Sequence, residues 1–258
     1  MAELPRNSIA RFSDRAEDYV KYRPHYSSEV VQALQKACGL SPAHVVADVG
    51  CGPGLLAEVL LENGNRVIGI EPNRKMREAG ERYLARFATF TMIDGSAEHT
   101  NLADASVDFV VAGQAFHWFR PDCARVEFAR ILRPGGWTIL VWHDRETEAT
   151  PFLRAYDEFL REHATDYQQV NHKTVANPDA ITQFFSPDTV QLISQQASQH
   201  FELEGLRGRL LSSSYVPKSG ASADRMLREL PHLFSKFADN GRVVVQYETK
   251  IYFGHLAR

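Results

Sequence analysis

Three glycines, Gly50, Gly52 and Gly54, alternate through the run VADVGCGPG, two residues after Asp48. Glycine reaches positive φ without strain and leaves bare backbone that a ligand can approach closely. A short apolar run precedes these glycines and a helix-forming run follows, the arrangement of a cofactor cradle. The spacing decides which cofactor. A dinucleotide fingerprint, G-x-G-x-x-G, needs its third glycine at position 55, where this chain has Leu55. Pro53 and Leu55 also narrow the open helix start that a pyrophosphate uses. Other chemistries find less footing. No G-x-S-x-G nucleophile elbow occurs. The histidines at 99, 117, 143, 163, 172, 200, 232 and 255 lack the paired helical spacing with a cysteine or carboxylate that a metal site uses, so no metal is expected.

The elements that would hold the glycine turn alternate along the chain. SSEVVQALQKACGL predicts an amphipathic helix, with Ser27 or Ser28 as its cap and Gly39 just past its end. HVVADV, residues 44–49, reads as a buried strand, and LLAEVLLENG as a helix stopped by Gly64. RVIGIEP (66–72), ATFTMIDG (88–95), VDFVVAGQAF (107–116) and WTILVWH (137–143) supply four more strands. Between them lie NRKMREAGERYLARF, with Asn73 as a cap, and PDCARVEFARILRPGG, ended by Pro134, Gly135 and Gly136. Strands alternating with helices require right-handed crossovers and a doubly wound, mostly parallel α/β sheet of Rossmann-like form. Ligands bind such sheets beyond the carboxyl ends of the strands.

After His143 the rhythm breaks. TPFLRAYDEFLREHA reads as a helix, and DTVQLISQQASQHFEL could hold a strand. ASADRMLRELPHLFSKFAD is a helix in which Pro231 could place a kink. RVVVQYETKIYFGHL alternates apolar and polar residues, as expected of a final antiparallel strand near a sheet edge. The expected layout is one domain: N-terminal lid helices over 1–39, a cofactor-binding core over 44–143, an acceptor-side insertion over 144–240 and a final strand over 241–258.

Composition limits the partners. The 258 residues are 44% hydrophobic and 24% charged, with a net charge of -3. That balance suits a soluble globular protein and gives no basic footprint for nucleic acid. No apolar run approaches the ~20 residues a bilayer span needs. The start of the chain has no apolar signal core. Cys38, Cys51 and Cys123 read as free thiols in a reducing compartment, so a cytoplasmic location is expected. Oligomeric state leaves no mark in the sequence.

The segment from Val46 to Gly54 resembles the first motif of class I S-adenosylmethionine-dependent methyltransferases, whose loop passes under the amino acid end of the cofactor. GQAFHWF (113–119) narrows the resemblance to a small-molecule branch that includes methyltransferase type 11 and the trans-aconitate methyltransferases. FSDRAEDYVKYRPHYSSEVV, from Phe12 to Val31, is similar to the N-terminal segment of the same branch. The resemblance spans roughly residues 12–143. DNA-base methylating enzymes usually carry an Asn/Asp-Pro-Pro-Tyr/Phe motif where this chain has GQAF, so no DNA partner is expected.

The resemblance implies roles for residues. Asp48, Gly50, Gly52 and Gly54 would form the loop under the cofactor. Glu71, followed by Pro72, would accept both ribose hydroxyls, because a carboxylate offers two oxygens. Met76 would sit near the adenine or else pack in the core. Ser96, Ala97 and Glu98 would border the adenine edge. Gln114 and Ala115 would contact the methionine half, and His117 and Trp118 would face the transfer site or pack behind it. Tyr19, Tyr22, Arg23 and Tyr26 would close over the ligands, with Arg23 pairing the cofactor carboxylate as a fork. LRGRLLSSSYVP (206–217) is either an acceptor-side wall, with Ser212, Ser213, Ser214 and Tyr215 as its hydrogen-bonding groups, or an ordinary polar turn. Arg207 and Arg209 could attract an anionic acceptor or lie solvated at the surface.

The implied activity is transfer of a methyl group to a small-molecule acceptor by in-line displacement, a reaction governed by positioning. A carboxylate acceptor needs no base, whereas a phenol, amine or carbon acid calls for one, and His117 is then the candidate. A small carboxylic acid is the acceptor expected from the resemblance, with a protein or RNA acceptor left open. The alternative is a non-catalytic module of the same fold that binds the cofactor or a partner protein without turnover.

Overall fold

A computed structural model of the chain describes residues 16–165, 167, 177–217 and 219–257. Phe12 and His172 lie outside the described residues. The elements run α1 (Ala16–Tyr22), α2 (Ser28–Cys38), β1 (Val45–Val49), α3 (Leu55–Glu62), β2 (Arg66–Ile70), α4 (Arg74–Tyr83), β3 (Phe90–Ile93) and β4 (Val107–Gly113). They continue with α5 (Pro121–Ile131), β5 (Leu132–Arg145), α6 (Pro151–His163), α7 (Pro178–Phe185), β6 (Gln191–Phe201), α8 (Leu203–Leu211), α9 (Ala221–Phe237) and β7 (Val243–Gly254).

The seven strands form one sheet in the order β3-β2-β1-β4-β5-β7-β6. β1 to β5 are parallel, and β7 runs antiparallel to both β5 and β6. The parallel strands are apolar because helices cover both faces. On one face Val30, Val31 and Leu34 of α2 and Leu56 and Leu60 of α3 pack on Val46 and Val111. On the other, Ala124 and Phe128 of α5 and Phe184 and Phe185 of α7 pack on Val110 and Leu140. The chain order reverses between β1 and β4. At such a switch point the two following connections diverge to opposite faces and leave a crevice at the carboxyl ends of the strands.

Most expected elements occur, with three differences. The final strand is internal: β7 lies between β5 and β6, and β6 forms the edge. QLISQQASQHF is polar and largely solvent-facing, which weakens its strand pattern, yet it pairs with β7 along its full length. The helix ahead of Pro134 ends at Ile131, and β5 takes over from Leu132. Ser27 occupies the N-cap of α2 but makes no side-chain cap bond, whereas Asn73 caps α4 by accepting from the amides of Lys75 and Met76. Pro231 lies within α9 without ending it.

A third apolar cluster lies over the β5 and β7 side. Phe152, Leu153 and Leu160 of α6 meet Leu206 and Leu210 of α8, Met226 and Leu230 of α9, and Val245 and Tyr247 of β7. Gly208 of α8 leaves room for the ring of Tyr22, which a side chain there would strike. The C-terminal helices thus hold the N-terminal α1 against the sheet's crevice. Among the described residues no helix is long and apolar enough to cross a membrane.

Candidate functional site

A cavity of about 300 Å³ opens at the carboxyl ends of β1, β2, β4 and β5. Its floor is the glycine loop. The amides of Gly50 and Cys51 both donate to the Ile70 carbonyl, at 2.8 and 3.1 Å, and turn the chain sharply out of β1. Gly50 and Gly52 take φ of 68° and 56°. A Cβ on Gly50 would strike Ala115 at 2.6 Å, whereas a Cβ on Gly52 would meet nothing within 4 Å. Gly52 therefore presents bare backbone to open cavity. Gly54, at φ 94°, is the N-cap of α3 and packs under Leu84 rather than bordering the cavity.

Glu71 closes one side of that floor. Its Oε2 accepts from the Gly52 amide and its Oε1 from the Asn73 amide, each at 2.9 Å. Burial pushes its carboxyl above the usual range, against those two amides and the charge of Arg77. Each oxygen has used one acceptor site, so the outer face of the carboxylate can still accept two hydroxyls. Arg77 fixes the strand end by donating to the Glu71 carbonyl at 2.8 Å and to Asp94 at 2.9 Å.

Asp48 stands beneath the loop, 1% exposed. Neither carboxylate oxygen meets a donor at hydrogen-bonding geometry, although the Cys51 thiol and the Ala57 amide lie nearby. Burial pushes its carboxyl up to about 7, with the charge of Glu71 adding to the effect.

Met76 and Pro72 flank Glu71, and Ser96, Ala97 and Glu98 face them from the turn after β3. Ser96 and His99 exchange backbone bonds at 3.0 and 3.2 Å, which shapes that turn. Glu98 accepts from the Arg120 amide at 2.8 Å and so holds the turn to the start of α5. Gln114 enters after β4 at φ 54°, a strained value for a residue with a side chain. Its amide bonds the Val141 carbonyl at 2.8 Å and its Nε2 the His143 carbonyl at 3.1 Å.

Tyr19, Arg23 and Tyr26 close the cavity from the N-terminal side. Arg23 lies 4.9 Å over the Tyr19 ring and donates to the Ser212 carbonyl at 2.9 Å, which ties the segment to the end of α8. Tyr26 stacks on His143 with centroids 4.4 Å apart. Gly113 makes room for Tyr26, whose hydroxyl a Cβ would meet at 2.7 Å.

Of the residues singled out from sequence, Tyr19, Arg23, Tyr26, Asp48, Gly50 and Gly52 border the cavity, as do Glu71, Pro72 and Met76, Ser96 to Glu98, and Gln114, Ala115 and Trp118. Four do not. Gly54 starts α3. Tyr22 packs on Gly208. His117, half-buried with its ring 4.8 Å from Trp118, is not on the cavity wall. Both residues sit in the three-residue helix Phe116–Trp118, and of the two it is Trp118 that borders the cavity. Tyr215 lies behind the wall. Burial would raise its phenol, but Arg145, Arg209 and Arg23 outweigh burial and bring it down to about 8.

On the wall, sequence reading misses His143 and Asn73, the latter read only as a helix cap, and leaves Arg209 open between attracting an anionic acceptor and lying solvated. His143 read as a strand end, and its signal was its place at the carboxyl end of β5. Its Nδ1 lies 2.8 Å from Thr249 Oγ1, and its Nε2 meets no partner. Burial and then the charge of Arg209 hold the imidazole down to about 4. Arg209, 7% exposed, borders the cavity from α8. Its signal was weak, because LRGRLL carries no clear polar face.

Residues 47–140 match the family described as Methyltransferase domain. An uncharacterized methyltransferase of Mycobacterium tuberculosis is 36% identical over 155 residues, 60% of this chain and 60% of that protein. The chain thus spans less than two thirds of that relative's length. A Saccharomyces cerevisiae protein provisionally named as an S-adenosylmethionine-dependent methyltransferase is 26% identical over 163 residues, 61% of this chain and 55% of the other. A solved structure from Anaeromyxobacter dehalogenans, provisionally described as a type II methyltransferase, superposes with a TM-score of 0.67 at 25% identity. It covers 92% of this chain and 100% of its own. The sheet and its glycine loop have the Rossmann-like fold of methyltransferases, and residues 47–140 are similar to the methyltransferase domain family.

Proposed function

We propose that this chain binds S-adenosylmethionine in the cavity and directs its methyl group to a small-molecule acceptor, with a small carboxylic acid the expected class. The observation that carries the reading is the pairing of Gly52 with Glu71. Bare backbone faces open space beside a buried carboxylate that retains acceptor capacity on its outer face. The domain match and the yeast relative's name support the same cofactor.

The residues present fit that group. Glu71 holds the ribose diol, with Met76 and the Ser96–Ala97–Glu98 turn along the adenine. Asp48, a buried carboxyl without a hydrogen-bond donor, offers charge to the ammonium end of the amino acid moiety. Gln114 and Ala115 border that moiety, and Arg23 takes its carboxylate. When bound, the cofactor supplies a methyl group on a positively charged sulfur, open to in-line displacement. Tyr19, Tyr26 and Trp118 exclude water from the crevice and present aromatic faces to that cation. Positioning an acceptor ~3–3.5 Å from the methyl carbon is the protein's main task. Neither a metal nor a DNA partner enters the proposal.

The test is turnover. Purified protein is incubated with S-adenosylmethionine and a panel of small carboxylic acids, and products are analysed by mass spectrometry. A methyl ester that requires the protein supports the reading. Tight cofactor binding with no methylated product from any acceptor class would instead identify a non-catalytic cofactor-binding module.

A further inference from the structure

At the cavity wall Arg209 is buried and Arg23 half-buried, and among the described residues neither makes an ion pair. Arg209 donates from Nε to the Tyr247 hydroxyl at 3.3 Å and from Nη1 to Ser213 Oγ at 3.0 Å, both neutral partners. Arg23 has a carbonyl at Nη2 and no partner at Nε. The contrast is Arg145 close by, whose Nη2 meets Asp157 at 2.8 Å. A buried cation without a counter-charge is costly, so the free site is built to receive an anion.

The cofactor does not satisfy both. Its carboxylate occupies Arg23 in the reading above. Its sulfonium and ammonium outweigh that single carboxylate, so loading adds positive charge. Asp48 and Glu71 project from β1 and the end of β2, and Glu98 is engaged by Arg120. Arg209 is left without a counter-charge, its hydrogen bonds going to the neutral Tyr247 and Ser213. Beside it stands His143, whose Nε2 is buried, unpartnered and on the same wall. The two share a neighbour: the His143 ring lies 6.0 Å from the Tyr247 ring, whose hydroxyl Arg209 contacts. A cation this close opposes a second one, so His143 stays neutral and is a poor proton acceptor.

We propose that Arg209 and neutral His143 form an acceptor-binding pair that holds the methyl acceptor as a pre-formed oxyanion, so that transfer uses no protein base. The proposal rests on the methyltransferase reading. The acceptor oxygen forms the new O–CH₃ bond with its own electron pair as the S–CH₃ bond breaks, and that second pair stays on sulfur. No proton moves. Sulfonium and oxyanion charges cancel, and the methylated product no longer has a charge for Arg209 to hold, which favours release.

The test separates the two readings by titrating protein saturated with S-adenosylhomocysteine. The probes are benzoate, phenylacetate and succinate, each against its neutral amide. At least one carboxylate is expected to bind at least about tenfold tighter than its amide. Arg209→Met should abolish that ratio while the S-adenosylhomocysteine affinity stays within about threefold. Arg209→Lys should restore part of the ratio, and His143→Gln should weaken the carboxylate without loss of the folded, cofactor-binding state. Should Arg209→Met fail to fold, the lysine and glutamine variants carry the test. The proposal falls if amides bind as well as carboxylates, if no carboxylate binds below about 10 mM, or if these variants leave the ratio unchanged. Failure of the wild type to bind S-adenosylhomocysteine would instead sink the cofactor reading, and the same probes on the free protein would still test the pair.

Discussion

Replacing Asp48 with asparagine removes a charge that folding alone does not favour. The carboxyl is 1% exposed and rises from an ordinary 3.8 to about 7 on folding. A raised carboxyl means that the folded state binds the proton more tightly than the unfolded chain. Stability therefore falls as pH rises from about 4 to about 7 and stays low above that window. Three pH units at ~1.4 kcal/mol each give a loss on the order of 4 kcal/mol. His143 acts oppositely: its depressed value makes stability rise between about 4 and 6.5. Subtracting the Asp48→Asn curve from the wild-type curve isolates the carboxyl. Urea unfolding at pH 5, 6, 7 and 8 is the assay. The difference in stability should shift in favour of Asp48→Asn by a few kcal/mol between pH 5 and pH 8. Parallel curves would refute the assignment of a buried carboxyl with no donor. The ligand should reverse the penalty. At pH 6, S-adenosylhomocysteine binding to the wild type should release protons, seen as a dependence of calorimetric heat on buffer ionisation enthalpy, and the asparagine variant should lose that dependence.

Glu71→Ala should weaken S-adenosylhomocysteine binding at least about tenfold with the fold retained, and an unchanged dissociation constant would remove the ribose assignment. Gly52→Ala forces a side chain into φ 56° at ~1–2 kcal/mol and points its methyl into the open cavity. Denaturant midpoints should show the modest stability loss and calorimetry a much larger loss of ligand affinity. Tyr215 should titrate near 8 in ultraviolet difference spectra, and Arg209→Gln should move that titration upward. A Tyr215 titration at 10 or above in the wild type would contradict the arginine cluster.

The sheet was largely legible because parallel strands covered on both faces read as apolar runs between glycine-marked turns. Val45–Val49 and Val107–Gly113 need no context to be recognised. β6 was weak in sequence because an edge strand can be polar on both faces, and its glutamines and serines carry little alternation. The glycine-loop side of the cavity was legible for a local reason: Gly50, Gly52 and Glu71 lie within a strand, turn, helix and strand whose spacing fixes their meeting. The wall built by α8 was not. Arg209 reaches the cavity only because α8 packs α1 down through Gly208 and Tyr22, a contact between segments far apart in the chain. His117 follows β4, and His143 lies inside β5 near its carboxyl end. Only the short helix at Phe116–Trp118 and the stacking of Tyr26 decide which one faces the crevice.

The central claim is that the glycine loop and Glu71 hold S-adenosylmethionine. Calorimetric titration of the purified chain with S-adenosylmethionine and S-adenosylhomocysteine, with a nicotinamide dinucleotide as control, tests it most directly. The account predicts saturable one-to-one binding of both at roughly micromolar dissociation constants and no heat from the dinucleotide. Absence of binding by either, or preferential binding of the dinucleotide, would contradict it.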